Sequence, residues 1–121
     1  MTQALVIDDN RNTADALVAM LMMLGVDGRA AYGSSQAMSL LNTIVPDIVL
    51  LDVNMPGVDG IEMLGYIRRE PRLMAVPVIF ITSDDQPETK QRALDGGALA
   101  LIVKPASIEQ LEDGLKKAGV M

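Results

Sequence analysis

The chain has 121 residues, of which half are apolar and only 2% aromatic, and a net charge of -6. This length suits one domain with a single aliphatic core that buries about two-thirds of the unfolded surface. The absence of cysteine and histidine excludes disulfides, thiolate or imidazole metal ligands, and histidine general bases, so any metal must be held by oxygen. The acidic balance, with no basic cluster, argues against nucleic-acid binding.

The sequence also carries no sign of a membrane segment. No apolar run reaches bilayer length, and the N-terminus, MTQALVIDDN, lacks the basic region and cleavage site of a signal peptide. We therefore expect a soluble, cytoplasmic protein with no membrane insertion.

Strand-like apolar runs alternate with amphipathic helical patterns along the whole chain. The five predicted strands are Ala4 to Ile7, Val26 to Ala31, Asp47 to Leu51, Val76 to Ile81 and Leu99 to Val103. The first predicted helix begins near Asn12 as its N-cap and ends at Gly25, and the second covers roughly Ser35 to Ile44.

Three further helices have clear start signals. The third predicted helix is capped by Asp59, the fourth has Pro87 in its first turn, and the fifth opens with the capping-box pair Ser107 and Gln110. Methionines at helical spacing are expected to fill gaps in the core, namely Met20, Met22, Met23 and Met38.

This alternation predicts an α/β fold: a doubly wound, five-stranded parallel sheet with five helices on its two faces. No linker or internal repeat is visible, so residues 1–121 are predicted to form a single domain. In such sheets the functional site lies beyond the carboxyl ends of the strands.

The unusual polar residues all fall at those strand ends. They are Asp8 and Asp9 after strand one, Asp52 after strand three, Thr82 and Ser83 after strand four, and Lys104 after strand five. Gathered carboxylates repel one another unless a cation joins them, and an all-oxygen ligand set favours Mg²⁺. A divalent cation, an ammonium and a hydroxyl converging on one carboxylate are suited to a phosphoryl group.

These residues, together with the stretch LLDVNMPGVDG around Asp52 and the Lys104-Pro105 pair, resemble the receiver domain of two-component response regulators. The resemblance covers essentially the whole chain and implies the flavodoxin-like (CheY-like) fold. It implies that Asp52 accepts a phosphoryl group from a phosphohistidine of a sensor histidine kinase or a histidine phosphotransfer protein. A domain of this kind is a bacterial signalling phosphoacceptor rather than an enzyme with turnover.

The resemblance also implies roles for the neighbouring residues. Asp9, Asp52 and the backbone carbonyl of Asn54 would ligate Mg²⁺, with Asp8 acting largely through bound water. Lys104 would pair with one phosphoryl oxygen and Thr82 would move to hydrogen-bond another. Pro105 in the family usually follows a cis peptide bond.

The resemblance further implies that phosphorylation switches contacts with a downstream protein, or with a second copy of the chain in a phosphorylation-dependent dimer, through the surface of helix 4, strand 5 and helix 5. Two positions depart from the family pattern. Leu101 replaces the usual tyrosine or phenylalanine that links the threonine to this surface, and Ala106 stands where phenylalanine is common.

Two alternative functions stay open from the sequence. A pseudo-receiver would bind partners without phosphate, as the missing aromatic at Leu101 suggests. A haloacid-dehalogenase-like phosphohydrolase would share the aspartate nucleophile, Mg²⁺ and lysine, but it would need a second aspartate where this chain has Asn54.

Overall fold

The computed structural model describes residues 1–121 and contains five strands and five helices in strict alternation. In chain order they are β1 (Gln3–Ile7), α1 (Arg11–Met23), β2 (Asp27–Ala31), α2 (Ser34–Leu41), β3 (Ile48–Leu51), α3 (Gly60–Arg69), β4 (Val78–Thr82), α4 (Pro87–Asp95), β5 (Ala100–Val103) and α5 (Ile108–Lys117). The fold class and the number of elements predicted from the sequence are confirmed.

All five strands join one parallel sheet in the order β2-β1-β3-β4-β5. Strands β1, β3 and β4 therefore lie in the centre, and the chain reverses its direction of winding between β1 and β3. This reversal creates the crevice at the carboxyl edge where ligands bind in sheets of this type.

The core consists of two aliphatic layers, one on each face of the sheet. One layer of 18 buried residues packs α2, α3 and α4 against the strands, and the other, of 13, packs α1 and α5. Successive residues of β3 serve opposite layers, Val49 and Leu51 the first, Ile48 and Leu50 the second. This two-sided burial explains why the strand is continuously apolar.

The helix starts are confirmed except for the first. Asp59 accepts a hydrogen bond from the Glu62 backbone, and Ser107 and Gln110 form both halves of a capping box. Helix α1, however, is capped by Asn10, whose Oδ1 accepts from the Thr13 N–H at 3.1 Å. Asn12 lies inside the helix, so its prediction as the cap is wrong; the chain turns immediately after the first strand.

The methionines are not all core residues. Met22 and Met23, near the end of α1, are 73% and 78% exposed, so their prediction as core residues is wrong, whereas Met20 and Met38 pack against the two core layers. The buried face of α1 is formed by Ala14, Leu17 and Leu21. The helical period places the two residues after Leu21 on other sides of the helix.

No helix in the structure is both long and apolar enough to cross a lipid bilayer.

Candidate functional site

Asp52 follows β3 directly and is held by backbone contacts on both sides. Its N–H donates to the Ile7 carbonyl at 3.0 Å, and the Gly60 N–H donates to the Val53 carbonyl at 2.8 Å. A side chain at Gly60 would lie inside van der Waals contact of the Asp52 carbonyl oxygen, so only glycine allows α3 to begin this close. Asp52 is therefore fixed at the carboxyl end of a central strand, where only 7% of its surface is exposed.

Asp8 and Asp9 follow β1, on the neighbouring strand. Asp8 is buried, its N–H donates to the Ala31 carbonyl at 3.1 Å, and its Oδ1 accepts from the Asn10 N–H at 2.9 Å. Asp9 is exposed to solvent. One buried and one exposed carboxylate thus stand beside Asp52.

Lys104 follows β5 and reaches across to the two buried carboxylates. Its Nζ donates to Asp8 Oδ2 at 2.8 Å and to Asp52 Oδ2 at 3.1 Å. The Lys104-Pro105 peptide bond is cis, as the resemblance implied. One ammonium therefore joins the ends of three strands, although 96 residues separate Lys104 from Asp8.

Burial and pairing act on the pKa values of these groups in opposite directions. Burial raises the pKa of Asp8, and the negative charge of Asp52 adds to this rise, while the hydrogen bonds from Lys104 and the Asn10 N–H oppose it. Burial alone would lower the pKa of Lys104, but its bonds to Asp8 and Asp52 outweigh burial and raise that pKa. Lys104 is consequently a fixed positive charge at neutral pH.

Thr82 is the last residue of β4 and is fully buried. Its Oγ1 accepts a hydrogen bond from the Asp84 N–H at 3.2 Å, and the structure shows no acceptor for its own hydroxyl proton. The Asp84 carboxylate in turn accepts from the Thr89 hydroxyl at 2.7 Å, a contact that sequence reasoning missed. The available signal was an aspartate shortly before the Pro87 helix start, a common position for a residue that bonds helix N–H groups.

Asn54 is exposed, and its N–H lies 3.4 Å from Asp52 Oδ1. This contact orients the loop after Asp52, whereas the predicted role of the Asn54 carbonyl as a ligand stays a prediction.

The carboxylates fit a hard divalent cation. Asp8, Asp9 and Asp52 each offer an oxygen, and these atoms all lie within 4.8 Å of one another. Lys104 compensates only part of their negative charge, and every available donor is oxygen. Mg²⁺ prefers such ligands and retains several waters, so one exposed and two buried carboxylates suit it.

A cavity of about 520 Å³ opens beside Lys104, between α1 and the loop from β5 to α5. Its apolar lining includes Leu17, Met20, Ile81 and Ala106. A partner at the acidic edge would therefore meet apolar surface next to the charged site.

Comparison with known proteins decides the family. The sequence model of the response regulator receiver domain family matches residues 4–116. The chain belongs to the receiver domain family. It is also 31% identical, over 111 residues, to the DNA-binding dual master transcriptional regulator RpaA of Synechocystis. That match covers 92% of this chain but 46% of the relative, so the chain spans about half of the relative's length.

Solved structures similar to this receiver include a chemotaxis protein, a receiver domain of a response regulator and a receiver domain of a histidine kinase. The chemotaxis protein CheY4 of Vibrio cholerae has a TM-score of 0.90 at 26% identity, with 98% of each chain covered. The receiver domain of the Francisella response regulator 1452 has a TM-score of 0.88 at 28% identity, again with 98% of each covered. The signal receiver domain of a histidine kinase from Syntrophus aciditrophicus has 0.87 at 27%, covering 98% of this chain and 89% of the other.

Proposed function

We propose that this receiver accepts a phosphoryl group on Asp52 from a phosphohistidine and thereby switches its contacts with other proteins. The observation that carries the proposal is the Lys104 ammonium, which bonds both Asp8 and Asp52 within a cluster of three carboxylates. Receiver domains of response regulators interact with histidine kinases or phosphotransfer proteins. The sensor kinase or phosphotransfer protein is accordingly the proposed donor.

In the proposed reaction an Asp52 carboxylate oxygen attacks phosphorus while the bond from phosphorus to the histidine nitrogen breaks. The electron pair of that bond stays with the departing nitrogen, and the histidine leaves as a neutral imidazole whose other ring nitrogen carries the proton. The product is an acyl phosphate on Asp52, which adds about two negative charges and three acceptor oxygens at the sheet edge. Lys104 already donates a hydrogen bond to Asp52, and its ammonium group can donate instead to a phosphoryl oxygen once the acyl phosphate has formed.

Thr82 supplies the second donor in this proposal. Its hydroxyl oxygen is occupied as an acceptor, whereas its proton has no partner, so the hydroxyl is able to donate to an oxygen of the phosphoryl group. A buried hydroxyl with an unused donor favours a charged acceptor strongly.

Asp9, Asp52 and the Asn54 carbonyl would hold Mg²⁺, with Asp8 contributing through water. When bound, Mg²⁺ supplies positive charge that offsets the carboxylates and the developing charge on the phosphoryl oxygens. Family membership argues against the phosphohydrolase alternative, and the pocket of charged groups argues against a pseudo-receiver.

The proposed output surface comprises α4, β5 and α5. Leu94 on α4 and Val103 on β5 expose 39% and 41% of their surface, which supports a protein partner or a second copy at this surface. Leu101 packs against the core layer beneath and offers no hydrogen-bonding group. We further propose that residues 1–121 form one receiver domain; its cytoplasmic location and lack of nucleic-acid binding stay predictions.

The test is intact-protein mass spectrometry after incubation with acetyl phosphate and Mg²⁺. We expect one phosphoryl group on the unmodified chain and none on Asp52→Asn or after EDTA. Asp113→Asn is the matched control, because Asp113 is an exposed carboxylate on α5 away from the site, and it should be phosphorylated normally. An adduct that persists in Asp52→Asn would contradict the assignment of the acceptor. Absence of any adduct on the folded chain would favour the pseudo-receiver.

A further inference from the structure

Helix α4 is attached to the rest of the molecule differently from the other helices. Only Ala93 is buried on α4, whereas α1, α2 and α5 each bury three residues and α3 buries four. Apolar burial therefore holds α4 weakly, and polar contacts near its two ends carry a larger share of its attachment.

At the N-terminal end these contacts form an unbroken path from the candidate site. The Asp84 N–H donates to Thr82 Oγ1 at 3.2 Å. The Asp84 carboxylate accepts from the Gln86 N–H at 3.0 Å and from the Thr89 hydroxyl at 2.7 Å. The hydroxyl at the end of β4 is thus linked through one residue to the first turn of α4.

At the C-terminal end Arg68 fixes the chain just beyond α4. Its Nη2 donates to the Gly97 carbonyl at 2.9 Å, and its Nη1 donates to the Val76 carbonyl at 2.8 Å and the Met74 carbonyl at 3.2 Å. These carbonyls belong to segments on either side of β4. Arg68 therefore ties the end of α4 to α3 and to the approach to β4, away from the carboxyl edge.

We propose that the hydrogen bonds joining Thr82, Asp84 and Thr89 couple the phosphorylation site to α4, which moves at its N-terminal end while Arg68 holds its C-terminal end. The inference rests on the proposed function and assigns Asp84 and Thr89 as positioning residues for its readout. Recruitment of the Thr82 hydroxyl to a phosphoryl oxygen would change its bond to the Asp84 N–H. Because the Asp84 side chain bonds α4 directly, the helix start would respond.

The identity of Leu101 favours this route over one through β5. Leu101 lies opposite Phe80 in the pairing of β4 with β5 and packs against the apolar core layer. An aliphatic side chain has no donor or acceptor with which to follow a change in the Thr82 hydroxyl. The polar path from Thr82 to α4 runs through the loop instead.

The inference is tested with Thr89→Val, which keeps the branched shape but removes the hydroxyl. Thr89→Ser restores a hydroxyl. Gln91→Ala is the matched control, because the Gln91 side chain donates a hydrogen bond to an aspartate within α4 itself, Asp95, at 2.7 Å and not to the loop before the helix. The probe is beryllofluoride with Mg²⁺, a mimic of the phosphoryl group. The readout is the change in backbone amide chemical shift between the free and saturated protein.

In Thr89→Val we expect the shift change at residues 88–90 to fall about two-fold or more, while that at Thr82 persists. Thr89→Ser and Gln91→Ala should respond like the unmodified chain. If the contact merely stabilised α4, its loss in Thr89→Val would raise amide hydrogen exchange in both the free and the saturated protein. The chemical-shift change on binding beryllofluoride would then stay in place.

An undiminished response of α4 in Thr89→Val, with beryllofluoride bound, would overturn the inference alone. Failure of the unmodified chain to bind beryllofluoride would overturn the proposed function and, with it, the inference.

Discussion

Helices α3 and α4 occupy equivalent places in the fold but are fixed by different forces. Each follows a central strand with a site residue at its carboxyl end: Asp52 comes directly after β3, and Thr82 is the last residue of β4. Helix α3 buries Gly60, Met63, Leu64 and Ile67, whereas α4 buries Ala93 alone. Burying an aliphatic side chain contributes about 1.5–3 kcal/mol, so the apolar attachment of α3 is several-fold stronger.

The difference matches the roles proposed for the two strand ends. A nucleophile must keep its geometry while the phosphoryl group arrives, and Asp52 is locked by β1 on one side and by the start of α3 on the other. A residue that reports phosphorylation must instead be able to change its contacts. Thr82 adjoins α4, whose attachment depends on a few exchangeable hydrogen bonds. The same arrangement of a strand followed by a helix is therefore rigid at Asp52 and α3, and is proposed to be responsive at Thr82 and α4.

The largest expected effect comes from breaking the rigid side with Gly60→Ala. The new methyl group would meet the Asp52 carbonyl and the Val53 backbone, which cannot rotate away as a side chain can. We expect the free energy of unfolding to fall by about 3 kcal/mol, measured by urea titration.

Gly65→Ala on the same helix is the matched control. Its methyl group would meet only the end of the flexible Arg69 side chain, so helix propensity should dominate and the change should be neutral or stabilising by up to about 1 kcal/mol. If both substitutions lowered the free energy of unfolding equally, the close approach of α3 to the Asp52 backbone at Gly60 would not be what limits this helix.

The arrangement of Asp52, α3 and the acidic cluster was largely predictable from the sequence. The aliphatic run before Asp52 and the caps at Asp59 and Ser107 are local patterns, and parallel topology brings all strand ends to one edge whatever the details. The acidic cluster with Lys104 followed from that topology. The roles of its members in phosphorylation and Mg²⁺ binding stay predictions.

The responsive side was not predictable to the same degree. The contact between Asp84 and Thr89 depends on the rotamers of two side chains in a loop, for which the sequence has no periodic signal. The choice between Asn10 and Asn12 as the α1 cap depended on where the turn after β1 closes, because either asparagine can bond helix N–H groups. The bonds of Arg68 to three backbone carbonyls in two separate segments likewise have no sequence signature.

A smaller effect is expected at the C-terminal end of α4 from Arg68→Met. Methionine keeps much of the aliphatic stem but loses the bonds to the Gly97, Val76 and Met74 carbonyls. We expect a loss of about 1–2 kcal/mol of stability and faster amide hydrogen exchange in residues 94–98. Arg69→Met, at the exposed neighbouring position without such bonds, should change neither. If exchange in residues 94–98 stayed slow in Arg68→Met, apolar packing rather than Arg68 would be holding that end.

The smallest effect concerns the N-terminal end of α4 and is a change in pKa. The hydrogen bond from the Gln86 N–H, followed by that from the Thr89 hydroxyl, lowers the pKa of Asp84 from its ordinary value of 3.8. A pKa lowered in the folded state stabilises that state above the ordinary value, and the stabilisation is lost as pH falls through the folded-state pKa. Acidification should therefore release Asp84 from α4.

Thr89→Val should move the pKa of Asp84 upward, towards but not fully to its ordinary value, because the bond from the Gln86 N–H remains. The measurement is an NMR titration of the Asp84 carboxyl carbon across the acid range, with Gln91→Ala as the control that should leave the midpoint unchanged. An unchanged midpoint in Thr89→Val would mean that the Thr89 hydroxyl does not hold the carboxylate in solution. The loop would then be fixed by the Gln86 N–H alone, and the polar path from Thr82 would end at the N-cap of α4, before it reached Thr89 in the first turn.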